Sequence, residues 1–452
     1  MKKTSANRIL ALFIALLTLL ALAGCKREPQ AVSPTAKPSD QSASSTDAAN
    51  GTDAAEASPA SIEYDPADDF QNRFGTCPST SIWENDEMLL FSVNGEYYYI
   101  GYYDKAADVY GVLCGKPECE HDHLEKNKDC NGYAQIRQHL GSMNGRIYFV
   151  ADNHDVNPWY TALYSMNPDA TDRREELRLP DQEVTGSLSQ CYLHRGYLYL
   201  CSRIREVVGG EPEDHPRFSR INVDTGEYEI IFEDGNENYV SGMCFVGSNV
   251  YMYTSYPKEL MSGNVGNVIK RFNAETGELK TVLEREEEGY EKSIFRIWVD
   301  KEENVYYSTM QRPETVAVIY TVDVNGNPKP FMDFADEDIL FDFALFSEDI
   351  VLVLGVPEGG DPKAFWLWVR DLEGNTVFKG EFPRSPFLEE LGIEEDYGFS
   401  DIQGDRNALY VCFQDTDISQ EKWNTTPILG FVRYEIVSTT ELRGKFVYKS
   451  LD

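Results

Sequence analysis

The sequence predicts an all-β chain folded as a β-propeller of seven blades, each of four antiparallel strands, behind a signal peptide and a disordered linker. Two observations carry that expectation. From about residue 63 onward short aromatic or β-branched runs alternate with Gly, Asn and Asp turns, and no segment holds a helical period. One four-strand unit also recurs at spacings of roughly 45 to 60 residues, which is the period of propeller blades. Two unrelated β-sandwiches would give strands at a similar density but have no reason to repeat a four-strand unit seven times.

The chain begins with three cations, Lys2, Lys3 and Arg8, followed by an apolar run over residues 9–23. This is the charged start and short apolar core of a secretory signal, too short to span a bilayer comfortably. It ends Leu22-Ala23-Gly24-Cys25, which resembles the lipobox of bacterial lipoproteins. The resemblance implies cleavage before Cys25, lipid on its thiol and attachment of the chain to membrane lipid at the extracytoplasmic face. A single acyl chain holds a protein only marginally, so the anchor would need more than one. Residues 25–62 form the linker, rich in Ala, Ser, Thr and Pro, with a coil dimension of roughly 35 Å. Residues 63–452 form the propeller domain.

The second strand of each unit reads at residues 146–150, 197–200, 249–253, 304–307, 349–353 and 408–411. The first unit is ambiguous: residues 88–93 and 96–103 are either its first and second strands, or its second and third with residues 79–83 as the first. A later hairpin is equally visible around Asp224-Thr225-Gly226-Glu227 and Glu275-Thr276-Gly277-Glu278, around Asn325-Gly326-Asn327, and around Glu373-Gly374-Asn375.

Charge narrows the function. With 76 acidic against 41 basic residues the chain carries −35, and removal of the signal's three cations leaves −38. The linker accounts for only −2 of that, so the folded body is strongly anionic. Such a surface repels nucleic acid, and no Lys/Arg cluster offsets it. It also gains nothing from anionic lipid, which leaves the holding to the anchor. A monomer is expected.

Four of the nine cysteines, Cys191, Cys201, Cys244 and Cys412, stand singly within strand runs, as small buried hydrophobes do. Cys77, Cys114, Cys119 and Cys130 differ. Cys114, Cys119 and Cys130, interleaved with His121 and His123, are compact enough for one metal ion, and Cys114, Cys119, His121 and Cys130 would make a closed Cys3His zinc site. In an exported chain, disulfides among the four cysteines are an equal alternative, with three pairings open, and free thiols a third. Either a metal or a disulfide makes the segment a structural clasp where the last strand of the first blade is irregular. The run Leu113-Cys114-Gly115-Lys116-Pro117-Glu118-Cys119-Glu120-His121, followed by Cys130-Asn131-Gly132-Tyr133, together with the lipobox and the repeat, resembles propeller-type surface lipoproteins of unknown function from Gram-positive anaerobic bacteria. That resemblance implies cell-surface placement and no reaction.

Long loops between second and third strands would gather on one face, at residues 152–160, 205–217, 257–266, 311–315, 357–363 and 414–426. They carry Trp159, Tyr160, Tyr256 and Trp423, candidates for stacking on a glycan or gripping a protein partner. None of the six histidines sits in a nucleophile or metal-pair motif, and there is no G-x-S-x-G, H-E-x-x-H or phosphate-cradling loop. Recognition of a glycan or protein without catalysis is therefore the leading expectation. The alternative is a glycoside hydrolase-like propeller using two carboxylates at the channel mouth, 5 to 10 Å apart.

Overall fold

The computed structural model describes residues 61–450 apart from 75–80, 95–97, 122–128, 182, 184–187, 209–210, 236–239, 258–262, 310–317, 335–338, 348, 358, 361–363, 393–398 and 415–427. The signal, Cys25, Cys77, His123 and Trp423 lie outside the described residues.

Seven four-stranded antiparallel sheets follow one another along the chain, each built from consecutive strands and each one blade. The second strands stand where the sequence puts them, for example Arg146–Asn153, Asn249–Pro257 and Ile350–Pro357. The first unit resolves in favour of the second reading, with Ile82–Glu84 innermost, then Met88–Asn94, Tyr98–Asp104 and Val109–Val112. One expected loop is corrected. Residues 205–217 are mostly strand, because Tyr197–Val208 and Glu211–Asn222 pair as far as Val208 opposite Glu211. The Gly209-Gly210 dipeptide between them is a two-residue hairpin signal.

Middle strands are buried on both faces, as in Tyr160–Met166 and Ile350–Pro357, so they read as continuous apolar runs. Outer strands such as Arg174–Arg178 and Leu279–Glu288 face water and read as charge. The core is therefore a ring of inter-blade layers. One layer joins Leu90 and Ile100 of blade 1 to Ile147 and Phe149 of blade 2, and another joins Leu352 and Leu367 of blade 6 to Val411 and Val432 of blade 7. The Asn-x-Asp/Glu-Thr-Gly turns recur for a local reason. Asn222 Oδ1 accepts the N–H of Asp224 and Thr225 at 3.0 and 2.9 Å, and Asn273 repeats this with Glu275 and Thr276 at 3.2 and 2.9 Å.

Among the described residues blades 1 and 7 each keep their own four strands, with no strand exchanged across the seam between them. Side chains close it. Phe91 packs on Phe431 and Tyr448 with ring centroids 4.9 and 5.4 Å apart, inside a cluster that also holds Leu89, Tyr410 and Val447.

Residues 61–74 form a strap over the channel mouth on the face that carries the turns between first and second strands. Its partners run from blade to blade. The Ile62 N–H donates to Lys301 O in blade 5 at 2.7 Å, and Asn72 Oδ1 accepts the Phe245 N–H of blade 4 at 3.2 Å. In blade 3 the Phe70 N–H donates to His194 Nδ1 at 2.9 Å, and Arg195 Nε reaches Asp69 Oδ1 at 2.6 Å. Gln71 makes paired hydrogen bonds with the Glu84 backbone of blade 1, at 2.7 and 3.0 Å. Arg73 then bridges the seam, pairing with Glu84 of blade 1 and, at 3.1 Å, with Asp405 of blade 7.

The strap fits only because Gly247 lies beneath Ile62. A Cβ at Gly247 would stand 2.7 Å from Ile62 Cγ2, and its φ of 53° is itself costly for other residues. Gly247→Ala is expected to push Ile62 off blade 4 and lower stability by about 1–2 kcal/mol. Amide exchange should rise in residues 61–74 before it rises elsewhere; a uniform rise would mean that the strap is not the first element released.

Candidate metal centre and binding rim

After the outer strand of blade 1 the chain leaves the sheet and returns to the same edge. The Leu113 N–H donates to Ile100 O at 2.8 Å, the Ile100 N–H to Gly132 O at 2.9 Å and the Ala134 N–H to Tyr98 O at 3.0 Å. The third strand of blade 1 is thus covered in two halves, first by residues 109–113 and then by 132–134. Cys114 and Cys130 stand at the two ends of the excursion. Cys119 and His121 lie within it.

The ligand atoms of Cys114, Cys119, His121 and Cys130 all fall within 4.8 Å of one another, and Cys130 Sγ is 3.6 Å from His121 Nδ1. A tetrahedral zinc with bonds of about 2.3 Å to sulfur places its sulfurs about 3.8 Å apart, so the cluster could hold a metal such as zinc. The backbone supports this. Lys116 and Asn131 donate N–H groups to the Cys114 sulfur, and Gly132 donates to that of Cys130. Glycine at 132 allows the close approach, since a Cβ there would lie 2.5 Å from Leu113 O.

Charge asks for a cation. Burial opposes ionisation of Cys114, but the N–H groups of Lys116 and Asn131 and its thiol neighbours outweigh it and lower the pKa. Burial, then the charge of Cys114, pushes Cys130 up to about 12. A bound dication would offset that cost at Cys130, since a coordinating thiol is deprotonated by the ion.

The excursion is fixed from outside as well. Tyr99 donates its hydroxyl to the His121 carbonyl, and Asn131 Nδ2 donates to Ala170 O of blade 2 at 2.6 Å. Arg173, over the rings of Phe149 and Tyr164 at 5.1 and 4.9 Å, donates to the carbonyls of Asn131 and Tyr133. Cys114, Cys119 and Cys130 are unbonded, and Cys191, Cys201, Cys244 and Cys412 are buried in strands as expected. Burial raises the thiol pKa of Cys244 to about 12.

On the rim that carries the loops between second and third strands the sequence candidates separate. Trp159, in the loop between second and third strands of blade 2, is 46% exposed. The His154 ring lies 5.5 Å away and the Arg137 guanidinium 6.0 Å away. Both are organised from below by the buried Asp152 carboxylate, which takes Arg137 Nε at 3.0 Å and the Thr161 hydroxyl at 2.6 Å, with His154 Nε2 at 3.7 Å. Tyr160 is a frame residue: its hydroxyl donates to Glu175 at 2.6 Å and Arg178 covers its ring at 4.0 Å. Tyr256 packs flat over Gly266, where a Cβ would meet its ring at 2.0 Å. Sequence reading missed Arg137, His154 and Asp152, which carry no local motif and converge only through strand pairing.

No protein-family model and no curated protein matches the chain. Solved structures do. A puromycin-hydrolyzing peptidase from Mycobacterium tuberculosis is similar with a TM-score of 0.50 at 12% identity, over 86% of this chain and 56% of that one. This chain therefore spans little more than half that peptidase's length. The β-propeller domain of the Trilobed protease from Pyrococcus furiosus is similar at 0.47 and 10%, over 82% and 98%. An oligogalacturonate lyase in complex with manganese is similar at 0.45 and 13%, over 74% and 83%. At these identities the shared property is the fold.

Proposed function

We propose that the chain is a lipid-anchored, extracytoplasmic recognition head: a zinc-clasped propeller that binds a glycan or protein through the rim bearing Trp159, without catalysis. One observation carries the non-catalytic part. The carboxylates of Glu84 and Asp405, at the described channel mouth, are clamped on Arg73, with Glu84 also taking Lys105 at 2.6 Å and the Tyr410 hydroxyl. Both carboxylates are thus committed to holding the strap and the seam, rather than facing each other across an open cleft as a hydrolase pair would. Convergence of three thiols and an imidazole on one volume favours metal over disulfide, because a disulfide uses two sulfurs and gives the third and the ring no reason to face inward. The four ligands leave zinc no open position, so its role is structural. The anchor rests on the lipobox at Cys25.

Two experiments test this reading. The full chain, expressed in a bacterial host, should partition into detergent with an acylated N-terminal Cys25, and Cys25→Ala should not; an unmodified native chain would remove the anchor. On a glycan and peptide array the protein should bind without turnover, and Trp159→Ala should weaken the best binder about tenfold. Turnover of any bound polysaccharide would establish the hydrolase alternative instead.

A further inference from the structure

Between its contacts at Ile62 and Phe70 the strap bows away from blades 4 and 5 and leaves a cavity of about 370 Å³ at the axial mouth. This lies within the range typical of small-molecule sites. Its wall is aromatic, from Phe70, Phe245 and Trp298. Most of its polar side chains already serve the strap: Gln71 and Asn72 hold backbone groups, Asp69 holds Arg195, and Arg73 holds the seam.

Three groups are left over. Glu63 and Lys301 line the cavity, are exposed, and form no ion pair with any described residue. Trp298 also lines it, is 7% exposed, and its indole Nε1 has no hydrogen-bond partner among the described residues. That nitrogen is buried away from the cavity surface, so Trp298 presents its ring there. Tyr64 closes the outer side; burial, then the charge of Asp69, raises its pKa to about 12, so the phenol stays a donor.

We propose that this cavity binds a zwitterionic small molecule with an apolar side chain, an amino acid or a dipeptide. Its ammonium group faces Glu63, its carboxylate faces Lys301, and its side chain lies against Phe70, Phe245 and Trp298. A neutral sugar would leave the carboxylate and the ammonium of the wall without counter-charges. The site is on the strap face and is independent of the anchor and of the rim around Trp159.

The test is calorimetric and fluorimetric titration of the purified full chain in detergent with L-phenylalanine and with L-leucyl-L-phenylalanine. N-acetyl-L-phenylalanine amide and cellobiose serve as uncharged controls. Saturable binding of a zwitterion is expected, with the amide control at least about tenfold weaker and with Glu63→Gln and Lys301→Met each weakening the zwitterion about tenfold. Both positions are exposed, so the melting temperature of either unliganded variant should match that of the native chain. No saturation by about 10 mM zwitterion, equal binding of the amide, preference for cellobiose, or binding unaffected by both substitutions would each overturn the assignment.

Discussion

Cys130→Ser is expected to abolish zinc binding and to cost on the order of 4 kcal/mol, near the top of the range for one substitution. The size follows from what the clasp touches. Cys130 belongs to the apolar cluster that closes the seam between blades 1 and 7, with Cys114, Cys119 and Tyr133 packed against it. Leu113 and Ala134, at the two ends of the excursion, belong to the layer between blades 1 and 2. Loss of the metal frees an excursion whose ends help to hold both interfaces of blade 1. Metal analysis should give one zinc per native chain and none in the variant, and amide exchange should rise at residues 98–100 and 132–134. Cys114→Ser should behave alike. A reducing agent separates the two clasps: the zinc form keeps its melting temperature with reductant and loses it with chelator, and a disulfide form does the reverse. Native protein with no zinc and a mapped disulfide would overturn the metal.

The repeat was legible in the sequence because each blade solves the same burial problem. A second strand such as Arg146–Asn153, buried between neighbouring blades, has to be apolar or aromatic, and the later hairpin turns on an Asn or Asp cap at Asn222, Asn273, Asp323 and Asp371, so the copies leave a period. Cys114, Cys119, His121 and Cys130 were legible because they are close along the chain. Three things were not. The seam has no sequence period, since Phe91 and Phe431 meet only when the ring closes. The strap was read as the start of the domain, because Asp69, Gln71, Asn72 and Arg73 look like ordinary linker residues until five blades are brought under them. Nor does aromatic composition say that the Tyr160 hydroxyl is held by Glu175 or that the Tyr256 ring lies against Gly266.

The strap should also be released by acid. His194 is neutral in the fold for a geometric reason: its Nδ1 accepts the Phe70 N–H at 2.9 Å, and its Nε2 hydrogen is aimed at Gly247 O at 2.7 Å. Protonation would place a second hydrogen against the Phe70 donor. Burial lowers its pKa from 6.5 to about 4; Asp69, 3.9 Å away, pulls upward and Arg195 downward, and burial wins. His139, buried under the Phe70 ring at 6.0 Å, is lowered by burial to about 3. A histidine depressed in the folded state contributes its full stability above the unfolded value of 6.5, and that stability drains away as pH falls towards the folded value. For His194 the loss between pH 6.5 and 4 is about 3 kcal/mol, with His139 adding to it at lower pH. His194→Gln separates this effect from the general protonation of carboxylates. The amide can still accept from Phe70 and donate to Gly247, but it does not titrate, so its melting temperature should fall less between pH 6.5 and 4 than that of the native chain. Arg73→Met should lower the melting temperature as well, because it breaks the pairs with Glu84 and Asp405 that tie the strap to the seam. If His194→Gln instead tracks the native pH profile, the acid sensitivity belongs to the carboxylates of the ring, and Arg73 rather than His194 holds the strap.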